Sequence, residues 1–165
     1  AITAAVAEAR RNSDLVIVSV HWGEEMNYRA SDAQKALGRA IVDAGADLVL
    51  GTHPHVVQGI ELYHGKYIVY SLGNFCFGGN SNPSDKRCLV FQQAFSFTTA
   101  GGLVDAGINL IPASVSSSSN RNDFQPMALS GGKGAEVLEL VDRDSRGFSM
   151  AETLRMPDSH PAGPD

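Results

Sequence analysis

The sequence predicts an α/β domain. Two apolar, β-branched runs, DLVIVSV (14–20) and ADLVLG (46–51), are typical of strands buried on both faces of a sheet. The segment between them, residues 31–44, has the spacing of an amphipathic helix. This strand–helix–strand order indicates a βαβ unit with a parallel pair of strands. A chain of 165 residues that is 43% hydrophobic is long and apolar enough to form one domain with its own core.

The other elements follow from composition and local signals. Ser31 is a plausible N-cap and Gly45 a plausible C′ residue of the central helix. His64–Gly65 marks a turn between two short strands. The predicted segments are a helix at 1–12, the two short strands within 56–73, a loop at 78–87, long strands at 88–100 and 102–115, a polar loop at 114–123 and a closing helix at 131–145. The main domain is expected to cover 1–146, and residues 147–165 to form a flexible tail.

Charge and motif content exclude several classes of function. The net charge of −5 argues against a nucleic-acid partner, and no apolar run reaches the length of a membrane span. The chain contains no G-x-S-x-G, Walker A or G-x-G-x-x-G motif. Cys76 and Cys88 do not form a C-x-x-C pair, so a thiolate zinc site is not expected. Two independent buried thiols are the favoured interpretation, and a disulfide between them is the alternative.

Three of the five histidines follow the two buried strands. His21 comes directly after the first, and His53 and His55 come after the second, in GTHPH. Because ligands bind beyond the carboxyl ends of parallel strands, we expect these three imidazoles at one edge of the sheet. In extended backbone, positions i and i+2 point to the same side, and neutral imidazole is a common metal ligand. The pattern therefore predicts His21, His53 and His55 as metal ligands, with structural or surface histidines as the alternative.

Other polar residues are weaker candidates. Glu25 is expected to orient a ligating histidine or to act on a substrate, and Asn74, next to Gly73, to supply an amide near the site. The candidate substrate contacts are Glu24, Glu61 and Lys86. For Glu24 and Glu25 the alternative is a solvated acidic turn. For Lys86, with its neighbours Asp85 and Arg87, solvation is favoured. Trp22 is expected to pack under the site, His64 to be an ordinary turn residue and His160 to lie in the tail.

Three motifs occur in an order that resembles a known family. HWGEE, then GTHPHVVQGIE, then YSLGNFCF are similar to the poly-γ-glutamate capsule-biosynthesis proteins of the CapA type, which resemble calcineurin-like metallophosphoesterases. The stretches NPSDKRCLVFQQAF and NDFQPMAL are also similar, so the resemblance covers about residues 1–145. It implies the C-terminal half of a β-sandwich flanked by helices, with divalent metal ions (Mn, Zn, Fe or Mg) at the strand ends.

The resemblance maps His21 onto the family's lone histidine, and His53 with His55 onto its G-H-x-H element. Thr52, between Gly51 and His53, departs from that element. The family's earlier Asp, Asn and His ligands have no counterpart in this chain, which starts at Ala1. We therefore expect a half-site, and as partner either a missing N-terminal half or a second copy of the chain. The resemblance further implies membrane-bound capsule synthase subunits as partners and an extracytoplasmic, membrane-associated parent protein.

Three functional hypotheses remain at this point. The first is a metal-dependent enzyme domain of the phosphoesterase type that acts in capsule synthesis. The second is a non-catalytic accessory subunit of a membrane-bound polymer synthase or exporter. The third is a plain α/β binding domain whose histidines are structural.

Overall fold

The structure is a computed structural model that describes residues 1–148. These residues form an α/β fold with three helices and two sheets, which confirms the predicted class. Of the predicted flexible tail, 147–165, only residues 147 and 148 are described, and His160 lies outside the described residues. The elements are α1 (Ile2–Asn12), β1 (Ile17–His21), α2 (Asp32–Asp43), β2 (Leu48–Thr52), β3 (Ile60–Tyr63), β4 (Lys66–Val69), β5 (Arg87–Phe97), β6 (Leu103–Ser114), β7 (Met127–Ala128) and α3 (Gly131–Ser145).

The first sheet has the strand order β1-β2-β4-β3. β1, β2 and β4 are parallel, and β3 pairs antiparallel with β4. The connection β1–α2–β2 is the predicted βαβ unit. In its register Ile17 lies opposite Leu48 and His21 opposite Thr52, so the two strands end side by side. Among the described residues β1 and β3 are the edge strands of this sheet, and the Ile17 side chain of β1 is exposed.

Apolar residues alternate along the central strands and fill two cores, one on each face of this sheet. Val49 and Ile68 point to a core that includes Val6 of α1 and Ile41 of α2. The opposite face packs against the second sheet and α3 in a second core, whose buried members are Leu48, Val57, Ile60, Tyr67, Val69, Leu89, Val137 and Val141. The central strand β2 is therefore covered on both faces, as its continuous apolar run predicted. The same prediction is wrong for β1, because this strand lies at the edge of the sheet and its Ile17 and Ser19 side chains are exposed.

Helix α2 begins and ends where the sequence indicates. The Ser31 hydroxyl accepts a hydrogen bond from the Gln34 backbone, and the Gln34 side chain accepts one from the Ser31 backbone. This capping box satisfies two N–H groups that the helix itself leaves unpaired. At the other end Gly45 adopts φ +116°, a conformation that residues with a Cβ rarely adopt.

The second sheet is antiparallel, with the order β5-β6-β7. β5 and β6 form the long hairpin expected for 88–100 and 102–115, with an irregularity in register between Gln93 and Phe95. The β3–β4 turn carries positive φ angles at His64 and Gly65, in agreement with the predicted turn. No helix in the described part of the chain is long and apolar enough to cross a membrane.

Candidate metal centre

The carboxyl ends of β1 and β2 bring histidines together. Because His21 lies opposite Thr52 in the parallel register, His53 follows one residue beyond it. The rings of His21 and His53 are 4.5 Å apart between centroids, and those of His53 and His55 are 5.7 Å apart. The structure thus places all three histidines at one edge of the sheet.

The backbone at His53 and His55 is not extended, contrary to the reasoning from i and i+2 spacing. His53 has φ 100° and His55 has φ 60°, both in a region that residues with side chains rarely occupy. The segment bends at each histidine, and Met26 N–H donates to the carbonyl of the intervening Pro54 at 2.8 Å. Strained backbone persists only where its surroundings enforce it, and it is concentrated at functional sites.

Glu25, His53 and His55 each offer a donor atom to a common point. These three atoms lie within 4.8 Å of one another, and they form the one such group among the described residues. The Glu25 carboxylate is 3.9 Å from His55 Nε2 and is 67% exposed. Two imidazoles and one carboxylate fit a divalent ion of the Mn, Fe or Zn type. His21 adjoins His53 but lies outside this group, and its Nδ1 is 3.4 Å from the Thr52 hydroxyl.

Asn74 holds His55 from the side opposite Glu25. The Nδ1–H of His55 donates to Asn74 Oδ1 at 2.7 Å, and the Asn74 side chain is nearly buried. A hydrogen bond at Nδ1 leaves Nε2 as the donor atom for a metal, which is the usual arrangement at ligating histidines. Gly73, with φ +72°, produces the backbone turn immediately before Asn74.

Two buried glutamines support the loop that carries Glu25. Gln58 is fully buried, and its amide donates to the Asn27 carbonyl at 2.7 Å. Gln58 in turn accepts a hydrogen bond from the Gln34 side chain at 3.0 Å. Neither glutamine is among the site residues predicted from the sequence, although the spacing of Ser31 and Gln34 is a readable capping signal.

Trp22 and Gly51 lie beneath the histidines. Trp22 is buried, as predicted, and its indole N–H donates to the Tyr70 carbonyl at 2.8 Å. Gly51 lies within β2, one residue before its end. A Cβ there would lie 2.1 Å from the Tyr70 carbonyl oxygen and 2.5 Å from Trp22 Nε1. Gly51 is therefore needed for close packing of the backbone under the site.

A cavity of about 320 Å³ opens beside the candidate metal centre. Its lining includes Glu25, His55, Asn74 and Asp85. The predicted solvation of Asp85 is wrong, because this carboxylate is buried and accepts hydrogen bonds from Arg87 and from the Tyr28 hydroxyl. Burial alone would raise the pKa of Asp85, but these hydrogen bonds lower it below its ordinary value.

The three candidate substrate contacts lie in different places. Glu24 is exposed in the loop beside Glu25. Glu61 is buried, and its carboxylate accepts from Arg39 at 2.7 Å and from the Tyr70 hydroxyl at 2.5 Å. This pairing gives Glu61 a structural role, and its predicted substrate contact stays a prediction.

Lys86 lies on a second cavity of about 390 Å³ at the serine-rich loop. Its ammonium donates to Asn82 Oδ1 at 3.0 Å and to the Ser119 carbonyl at 2.8 Å.

The two cysteines are free thiols in the structure. Cys88 is buried as expected, whereas Cys76 is exposed. The turn residue His64 contacts Asp43 at 3.3 Å.

The first half of the chain is similar to bacterial capsule synthesis proteins. Residues 1–79 match the model of the bacterial capsule synthesis protein family PGA_cap. The PGA biosynthesis protein CapA of Bacillus subtilis is 50% identical over 72 residues, which are 44% of this chain and 19% of that protein. The capsule biosynthesis protein CapA of Bacillus anthracis is 50% identical over 79 residues, 48% of this chain and 19% of that protein.

A third relative comes from Mycobacterium tuberculosis. This probable polyglutamine synthesis accessory protein is 37% identical over 73 residues, 44% of this chain and 19% of its own length. The matched chain thus spans about a fifth of the length of these relatives. The family match includes Glu25, His53, His55 and Asn74. Residues 1–79, which carry the whole candidate metal centre, are therefore similar to the bacterial capsule synthesis proteins of the CapA type.

Proposed function

We propose that this chain carries a divalent-metal site of a protein that works in poly-γ-glutamate capsule biosynthesis, with Glu25, His53 and His55 as ligands. The observation that carries the proposal is the convergence of three donor atoms within 4.8 Å at the end of parallel strands. The strained backbone at both histidines and the hydrogen bond from His55 to Asn74 add support. His21 is an additional ligand if its ring rotates away from Thr52.

The chain's own residues define what such a site does. Asn74 fixes the orientation of His55, and the buried Gln58 fixes the loop that carries Glu25. The adjoining cavity, about 320 Å³, is large enough to hold a small ester or one unit of a polymer. When bound, a divalent ion supplies Lewis-acid chemistry, and the activity proposed for the intact protein is phosphoesterase-type hydrolysis within a metallophosphoesterase-like sandwich.

The second candidate function is that of a non-catalytic accessory subunit of a membrane-bound polymer synthase or exporter. The description of the mycobacterial relative as an accessory protein favours it. In this case the same site stabilises a surface that binds a partner. The proposed partners are a segment or second copy that supplies further ligands, and the synthase subunits. The proposed location is extracytoplasmic and membrane-associated.

Metal content tests the shared part of both functions. The purified chain is loaded with Mn²⁺ or Zn²⁺, freed of excess ion and subjected to elemental analysis, beside His53→Ala, His55→Ala and the control His64→Ala. The turn residue His64 contacts Asp43 and lies outside the group of donor atoms, so its variant should retain metal. Equal metal content in all four proteins would contradict the proposal.

A chimera separates the two functions. Residues 1–79 replace the matched segment of Bacillus subtilis CapA, and polymer secretion is measured together with hydrolysis of a generic phosphate ester in Mn²⁺. If the chimera hydrolyses the ester and secretes polymer, and His53→Ala abolishes both, the result supports the enzyme. Polymer secretion by the His53→Ala chimera without any ester hydrolysis supports the accessory role.

A further inference from the structure

A third cavity, of about 300 Å³, lies between the start of α2 and the end of α3. Three cationic side chains line it: Arg29 from the loop before α2, Lys35 from the first turns of α2, and Arg143 near the end of α3. The lining also includes Asp144 and the ring of Phe148. We call this cavity, with these five lining residues, the basic cavity. Its volume lies at the lower end of the range for ligand cavities, about 300–1,000 Å³.

The positive charge of the basic cavity is unusual in this chain. The whole sequence has a net charge of −5, yet three cations and one carboxylate line this single cavity. Lys35 also contacts Asp32, but the Asp32 side chain is fully exposed, so water screens that pair. Among the described residues the Arg29 side chain forms no salt bridge, and Arg143 contacts only Asp144, at 3.3 Å.

Asp144 is the second feature that points to a ligand. Its side chain is only 4% exposed, and its Oδ2 accepts no hydrogen bond from any described residue. A buried carboxylate oxygen without a partner is costly, since it has lost water and gained nothing in return. Burial raises the pKa of Asp144, in keeping with this lack of donors. The cavity therefore offers cations for anionic groups and one acceptor for an N–H or O–H donor.

We propose that the basic cavity binds a chain of amide-linked units with free carboxylates, as in γ-linked polyglutamate. The cations Arg29, Lys35 and Arg143 bind successive carboxylates, and Asp144 Oδ2 accepts an amide N–H between them. The proposal rests on the proposed function in capsule biosynthesis and names the polymer-binding site of that function. Arg29 follows Glu25 by four residues in the same loop, so a bound polymer would contact the loop that carries the candidate metal ligand.

Binding of a fluorescent γ-linked glutamate oligomer to the full chain tests the cation part. We expect Arg29→Gln and Arg143→Gln each to weaken binding about 3- to 10-fold, because each removes one charge contact with a carboxylate. Arg146→Gln is the matched control, since Arg146 pairs with Asp142 near the same helix end and does not line the cavity. Equal weakening by the control, or none by the two cavity variants, would overturn the proposal.

Polyacrylate tests the part assigned to Asp144, because it carries carboxylates without amide N–H groups. Asp144→Ala should weaken binding of the glutamate oligomer and leave polyacrylate binding unchanged or tighter, since a negative charge is lost. The ratio of the two affinities is insensitive to a modest loss of folded protein. If Asp144→Ala changes both affinities by the same factor, Asp144 does not bind an amide and the proposal fails.

The test is independent of the metal centre. Arg29→Gln and Arg143→Gln should retain the metal content of the unmodified chain, because neither contributes a donor atom to the group of Glu25, His53 and His55. Failure of metal binding with normal oligomer binding would refute the metal site alone. Normal metal binding with no oligomer binding would refute the basic cavity alone.

Discussion

The hydrogen bond between His55 and Asn74 provides the sharpest prediction about the candidate metal centre. Asn74→Ala removes the acceptor that lies 2.7 Å from His55 Nδ1. The imidazole then loses the contact that fixes its tautomer and its orientation toward Glu25. Removal of such a supporting contact lowers metal affinity about 10- to 100-fold, which corresponds to roughly 1.4–2.8 kcal/mol.

The assay is a titration of the metal-free chain with Zn²⁺ or Mn²⁺ in competition with a chromophoric chelator. Asn80→Ala is the matched control, because Asn80 lines the same cavity but its side-chain oxygen accepts from the backbone N–H of Asn82, not from a histidine. Asn74→Asp keeps an acceptor at the same position and should retain the affinity of the unmodified chain. If Asn74→Ala and Asn80→Ala bind metal equally well, the orienting role of Asn74 is refuted.

Three further predictions concern stability, each measured by denaturant unfolding. Glu61→Ala should lower the free energy of unfolding by about 3 kcal/mol, since it leaves the buried Tyr70 hydroxyl unpaired, and should leave metal affinity unchanged; altered metal affinity without altered stability would refute the structural role. Gly51→Ala should cost at least about 2 kcal/mol through overpacking, whereas Gly78→Ala, where a Cβ meets nothing within 4 Å, should be nearly neutral; equal effects would refute the packing argument. Burial would raise the pKa of Asp47, but its salt bridges lower it below the ordinary value, so its stabilising contribution is present above about pH 5 and is lost as the pH falls through the folded pKa; a pH profile unchanged by Asp47→Asn would contradict this.

The position of the candidate metal centre could be predicted from the sequence, because it depends on the path of the backbone. Two buried strands with a helix between them predict a parallel pair, and parallel strands end at the same edge. His21 and His53 follow those strands directly, and their rings are 4.5 Å apart in the structure. The capping signal at Ser31 was predictable for the same reason, since it is local in sequence.

The detailed geometry of the centre could not be predicted in this way. The positive φ angles at His53 and His55 depend on contacts from Met26 and Asn74, which come from other segments of the chain. The i and i+2 spacing rule assumes extended backbone. It correctly predicted that His53 and His55 lie close together, but the backbone at both residues is not extended. The assignment of Glu25 to the donor group likewise depends on the fold of the loop at 22–31, which the buried Gln58 supports.

Pairings between charged residues that are far apart in the sequence could not be predicted either. Glu61 lies 22 positions from Arg39 and accepts its hydrogen bonds only because α2 packs beside β3. The basic cavity joins the start of α2 to the end of α3, more than a hundred residues apart along the chain. No local pattern marks either arrangement, because each depends on how the helices pack against the sheet.

The central claim is that Glu25, His53 and His55 together hold a divalent metal ion. Its most direct test is a crystal structure of the full chain grown with Mn²⁺ or Zn²⁺, with anomalous scattering measured at the absorption edge of that metal. The account predicts an anomalous peak about 2.0–2.2 Å from one donor atom each of His53, His55 and Glu25. Absence of a peak at these three side chains, in crystals that show the same metal bound elsewhere on the chain, would contradict it.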